Sequence, residues 1–283
     1  MTRNRTLGVY ALNIAADPHP PGIYISLLKA AARKVGPAHG SDAAKITAPK
    51  EVENRPGIYV GRILVWTEVD LKGRWLDVDS DEDLSDEDRR KINIPGNAKP
   101  NFRVFNYAFH EKKHRFYFEA SNEYGHSLGP KTAERIMVGL FSSIKLKPQN
   151  PNVSVTVIPK DGQVRKILSM PGLRKLEISL TLPNPDQVDP AKRRRIYKQL
   201  KDNKAKRWEQ IFTKEAGANS LTPTDQVIDF AEIAAENGNV RGEGWSDGKK
   251  SELSTSSAPR RETITLDDGP NFLERLVAAV GFF

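Results

Sequence analysis

Five consecutive residues, His110-Glu111-Lys112-Lys113-His114, spell the H-E-x-x-H pattern of zinc peptidases. That chemistry needs a helix, on which histidines four apart face one zinc ion while the glutamate serves as base. The flanking segments Phe102–Phe109 and Arg115–Ala120 alternate and are rich in aromatics, so they predict two strands joined by a polar turn at the motif. Histidines in such a turn do not share a face. The sequence therefore assigns them neither a metal nor a catalytic role.

Two other carboxylate patterns invite chemistry. Asp77, Asp79, Asp81, Glu82, Asp83, Asp86, Glu87 and Asp88 place eight acids in twelve residues. The D-x-D-x-D start resembles a calcium loop, but its sixth position is Glu82, where that loop needs glycine for a sharp turn. A solvated loop is expected instead, with Ser85 capping a short helix through Arg90 and with the acids able to shield a basic partner segment. Glu119, Glu123 and Glu177 are the candidates for a metal-dependent nuclease centre, which would require them to converge in space. There is no Walker loop and no dinucleotide glycine fingerprint. With no cysteine, thiol nucleophiles, disulfides and cysteine zinc sites are excluded.

The third pattern is basic. Ala191–Arg207, AKRRRIYKQLKDNKAKR, holds nine Lys or Arg and one acid, Asp202. That difference of +8 equals the formal net charge of the whole chain, so the remaining residues balance to zero. Locally concentrated cations are the footprint of a polyanion partner, because each neutralised phosphate releases a counterion. Arg193, Arg194, Arg195, Lys198, Lys201, Lys204, Lys206 and Arg207 are the expected phosphate contacts. Ile196, Tyr197, Leu200, Trp208 and Ile211 share a stripe on a helical projection, which predicts one docked helix across the whole segment. Arg193, Lys204 and Arg207 project into that stripe, which makes it a poor membrane-inserting face. Trp208 and Trp245 are candidates for stacking on bases, against the plainer role of packing.

The elements that must position these residues follow from the pattern of the rest. Strands are expected at Thr6–Ala15, Ile58–Val69, Val153–Ile158 and Leu173–Leu182 beside the hairpin, with helices at Ile23–Val35 and Lys131–Ile144 and a loop from Gly36 to Pro56. Pro183–Pro190 punctuates the chain. After the basic helix come a helix at Thr222–Glu236, a hairpin around Asp247-Gly248, a strand at Thr263–Leu266 and a closing helix from Asn271. The fold class is α+β: a helix-backed antiparallel or mixed sheet over residues 1–183, followed by a smaller helix–hairpin–helix portion over 184–283. No run approaches the ~18 apolar residues of a membrane span, and no export signal is visible, so a cytoplasmic protein without membrane insertion is expected.

The stretches VYALNI at Val9–Ile14, HRFYFEASNEYG at His114–Gly125, LEISLTLPNPD at Leu176–Asp186 and ENGNVRGEGWSDG at Glu236–Gly248 resemble an uncharacterised family of bacterial and prophage genomes. In element order the family is also similar to the A component of the lambda Rex exclusion system. The resemblance implies a DNA-associating cytoplasmic protein of phage exclusion, with dimerisation and a protein partner as further expectations. It brings no catalytic residue and no cofactor. The expected function is therefore non-enzymatic binding of nucleic acid, duplex DNA with low sequence specificity, with a nuclease effector as the alternative.

Overall fold

A computed structural model describes residues 5–147, 150–182, 190–246, 248–266 and 272–280. The chain opens with a long strand, β1 (Arg5–Asp17), and a helix, α1 (Ile23–Ala31). Four strands follow, β2 (Gly36–Pro37), β3 (Asp42–Ile46), β4 (Lys50–Val52) and β5 (Arg55–Thr67). The acidic stretch forms a small hairpin, β6 (Leu76–Asp77) and β7 (Glu82–Asp83), and a short helix α2 (Asp86–Lys91). Strands β8 (Arg103–His110) and β9 (Arg115–Glu119) precede α3 (Pro130–Ser142), β10 (Asn152–Val157) and α4 (Gln163–Leu168). Then come β11 (Leu173–Thr181), α5 (Pro190–Asp202), β12 (Arg207–Thr213) and α6 (Asp225–Asn237). The described chain closes with β13 (Gly238–Ser246), β14 (Lys249–Ser254), β15 (Arg261–Leu266) and α7 (Phe272–Ala279).

These strands form two antiparallel sheets of nine and four strands, beside the small β6–β7 hairpin. The first runs β10-β1-β9-β8-β5-β3-β2, with β15 beside β1 and β4 beside β5. The second runs β12-β11-β13-β14. Alternation along β1 serves both faces of its sheet, as a strand's period of two requires. Leu12, Ile14 and Ala16 join the core under α1 and α3, while Leu7, Val9 and Ala11 join a second core under α7 with Leu276 and Val277. A third core packs Leu176, Ile178 and Leu180 of β11 against α5 and α6 through Ile196, Leu200, Phe230 and Ala234. The class is α+β with antiparallel sheets.

The division between the sheets does not fall at residue 183. Strand β11, on the N-terminal side of that point, is a central strand of the second sheet, and β15 and α7 return to the first. The expected helix, hairpin and closing helix are thus shared between two layers. Asp247 of the expected turn lies outside the described residues, but Ser246 pairs with Lys249 across it. The expected loop from Gly36 to Pro56 contains β3 and β4, which gain their ladder partners only because β5 is long enough to pair with both.

Two glycines admit neighbours no side chain would. A Cβ on Gly61 would stand 2.6 Å from the ring of Tyr107, whose hydroxyl reaches the Thr47 carbonyl at 2.9 Å. A Cβ on Gly238, where α6 turns into β13, would meet the backbone oxygen of Ser179 at 1.9 Å. Because that neighbour is backbone in a central strand, it cannot swing aside. Gly238→Ala should cost about 2 kcal/mol or more, within the range for overpacking, and lower the urea midpoint; an unchanged midpoint would contradict the close approach.

Candidate nucleic-acid interface

Helix α5 carries the densest cations on an unpromising helical sequence. A 13-residue helix is marginal alone in water, and cations three or four apart, such as Arg194, Lys198 and Lys201, repel by about 0.2–0.5 kcal/mol per pair. Tertiary docking decides the outcome. Ile196 and Leu200 are buried in the third core, and each such aliphatic contributes about 1.5–3 kcal/mol. The first sheet supplies a second hold. The Tyr197 hydroxyl donates to Asp17 Oδ1 at 3.2 Å, and Lys201 forms an ion pair with the other oxygen of that carboxylate. Asp17 thereby holds the Lys201 ammonium above the ordinary lysine pKa.

The helix ends at Asp202, earlier than its periodicity suggests. Lys204 adopts the left-handed conformation at φ 49°, its N–H bonds the Lys201 carbonyl at 2.9 Å, and the Ala205 N–H bonds the Leu200 carbonyl at 2.8 Å. These two bonds are the Schellman arrangement that satisfies the last carbonyls of a helix, with Ala205 packed near Leu200 in the core. Glycine is the usual residue there, and a lysine costs about 1–2 kcal/mol in that conformation. From Arg207 the chain is a strand with a period of two. Trp208 turns inward, its ring 4.6 Å from that of Phe230, while Ile211 is 59% exposed on the opposite side. The expectation of one helix through Trp208 and Ile211 is thus corrected.

The eight expected phosphate contacts separate into three groups. Arg194, Lys198, Lys204 and Lys206 are exposed and form no ion pair among the described residues. Lys201 is held by Asp17, and Arg207 pairs with Glu209 at 2.7 Å. The side chains of Arg193 and Arg195 lie outside the described residues, as do residues 183–189 of the punctuated junction before the helix. Trp208 is a packing residue. Trp245 is 43% exposed but carries the Arg174 guanidinium 5.1 Å above its ring.

The motifs with catalytic spacing resolve into structural roles. His110 ends β8, and its Nδ1 accepts the Lys113 N–H at 3.3 Å. His114 closes the turn at φ 53°, buried with its ring stacked 4.2 Å from Tyr24. The motif is a hairpin turn, as its flanks predict. A second pattern, Gly125-His126-Ser127-Leu128-Gly129, has the G-x-S-x-G spacing of a nucleophile elbow, which a reading of the sequence as lacking that elbow misses. An elbow needs a strained serine between strand and helix. Ser127 instead bridges Ser121 in extended pairing, has ordinary negative φ, and has no histidine partner among the described residues.

The carboxylates disperse. Asp83, Asp86, Glu87 and Asp88 pair locally with Arg74, Arg89 and Lys91, and Ser85 caps α2 by accepting the Asp88 N–H at 3.1 Å. None of these pairs reaches α5. Glu119 and Glu123 line one small recess, but Glu177 belongs to the other sheet, where Lys175 and Arg241 hold its carboxyl below the usual range. Among the described residues, no three His, Asp or Glu side chains gather as metal ligands.

With the geometry in place, the family is plain. A model described as a domain of unknown function, DUF4747, matches residues 5–278, and the chain belongs to that family. No curated protein matches it. Among the described residues, no helix is long and apolar enough to cross a membrane.

Glu119 offers a direct check on the packing beside the hairpin. Burial pushes its pKa up from the ordinary 4.5 to about 7, against the lowering by the Asn106 backbone and side-chain N–H groups. The folded protein holds this proton more tightly than the unfolded chain. The stabilisation is full below pH 4.5 and is lost as pH rises through about 7, by roughly 3 kcal/mol at 1.36 per pKa unit. Glu119→Gln should flatten that descent in urea midpoints measured against pH. A wild-type curve already flat over this window would contradict the buried acid.

Proposed function

We propose that this protein is a non-enzymatic nucleic-acid-binding protein that takes duplex DNA with little sequence selectivity. The observation that carries the reading is a fixed helix and turn presenting Arg194, Lys198, Lys204 and Lys206 to solvent without ion pairs among the described residues. Cations with no intramolecular partner gain most from phosphate, because binding breaks nothing in the protein and releases counterions from the polymer. Contacts of this kind fix position on a duplex and read no bases. A role in defence against phage, in the cytoplasm, rests on the resemblance to the Rex A component. The nuclease alternative has no comparable support, because Glu177 lies on a different sheet from Glu119 and does not join the recess that Glu119 and Glu123 line.

The test is a gel-shift or anisotropy series over duplex DNA, RNA and salt. Four phosphate contacts give a log–log salt slope of about −3.6, which is roughly a hundredfold loss of affinity from 50 to 200 mM salt. A slope near zero would count decisively against the proposal. Single substitutions refine it. Lys198→Ala should weaken binding several-fold, and Lys201→Ala less, because Lys201 is already held by Asp17. Lys204→Gly should weaken binding while leaving the unfolding midpoint equal or higher, by up to about 1 kcal/mol. A loss of stability in that variant would contradict the left-handed placement.

A further inference from the structure

A second electropositive feature lies away from α5, in a cleft of about 480 Å³ between the first sheet and helices α4 and α6. Its walls come from the start of β9, the connection from β10 into α4, the back of α6 and the crossing of Pro159 with Pro259. Five cations line it, Lys113, Arg115, Lys160, Arg165 and Arg260. The volume falls within the range of small-molecule pockets, and a junction between layers is a common place for one. Its concavity distinguishes it from the convex surface of α5.

The charges in the cleft are unevenly matched. Arg115 Nη2 donates to Glu236 Oε2 at 2.7 Å, and Arg260 spans Glu262 at 2.9 Å and Asp161 at 3.4 Å. Lys160 and Arg165 are exposed and form no ion pair among the described residues. Glu232 is the remaining acid on the wall. Arg115 adds an unmet donor: its side chain is 12% exposed, and its Nη1 has no acceptor among the described residues. A buried donor left unsatisfied costs about 1–3 kcal/mol, more for a charged group, so this guanidinium gains from an acceptor supplied in the cleft. A guanidinium flanked by two unpaired cations suits a phosphate group better than a single carboxylate, because phosphate offers more acceptor oxygens and charge.

We propose that this cleft binds a small phosphate-bearing molecule of nucleotide size, with Lys160 and Arg165 meeting the phosphate and Arg115 turning its free N–H toward it. The site draws on both layers: Arg115 comes from the first sheet, while Lys160 precedes, and Arg165 lies on, the helix α4 that packs on the second. The inference is independent of DNA binding at α5.

Full-length protein is titrated with inorganic phosphate, AMP and ADP by calorimetry and thermal unfolding, at ionic strength matched with sodium chloride. The expected result is saturable binding that raises the unfolding midpoint. The exposed pair Lys160→Ala/Arg165→Ala should cut affinity tenfold or more while leaving the ligand-free midpoint unchanged, whereas Arg194→Ala/Lys198→Ala should leave it intact. Arg115→Lys tests the guanidinium separately, since it keeps a charge for Glu236. Absence of saturable binding overturns the proposal, as does binding indifferent to Lys160 and Arg165 or lost with Arg194 and Lys198.

Discussion

Strand β1 is the constraint on which the rest depends. A strand's backbone donors and acceptors must be met on both edges when it is buried, and β1 meets them with three partners. Strand β9 takes one edge, while β10 and β15 divide the other, so residues 152–157 and 261–266 are brought onto one strand. The first sheet is therefore completed by a strand that follows the second sheet in the sequence. From its Leu7 face Asn13 reaches across the layers, donating to the Glu236 carbonyl at 2.8 Å and Asn237 Oδ1 at 3.1 Å. At its end Asp17 receives Tyr197 and Lys201 from α5. One strand thus fixes the cleft and the basic helix in relation to the same sheet.

That placement determines how the charge can act. A basic segment on a disordered tail would lose conformational entropy on meeting a polyanion. Here Ile196 and Leu200, the Schellman turn and Asp17 have already ordered it within the folded protein. The same contacts occupy Lys201 and leave Arg194, Lys198, Lys204 and Lys206 as the cations of this segment without an ion pair among the described residues. The acidic stretch, which on charge alone looks like an internal competitor, commits four of its eight carboxylates, Asp83, Asp86, Glu87 and Asp88, to nearby Arg74, Arg89 and Lys91.

Local pattern carried much of this to the reader of the sequence. The β8–β9 hairpin, the inward face of α3 at Ala133, Ile136, Met137, Leu140 and Phe141, and the Ser85 cap are all short-range features, and each is found. What pattern could not carry was long-range or conformational. β3 and β4 have weak strand composition and exist because β5 pairs with them. A helical projection cannot detect one left-handed residue, so it ran through Lys204 and placed Trp208 and Ile211 on one face. The cleft joins Arg115, Lys160 and Arg260 from distant parts of the sequence, and no spacing announces them.

The central claim is that the cations of α5 and its turn without ion pairs among the described residues, rather than basicity at large, meet nucleic acid. Lysine reactivity mapped by mass spectrometry, with and without duplex DNA at low salt, examines it residue by residue. The account predicts protection of Lys198, Lys204 and Lys206, with little change at Lys201 or at Lys91, which is paired to Asp88 at 2.7 Å. Uniform protection across all lysines, or none at Lys198, Lys204 and Lys206, would contradict it.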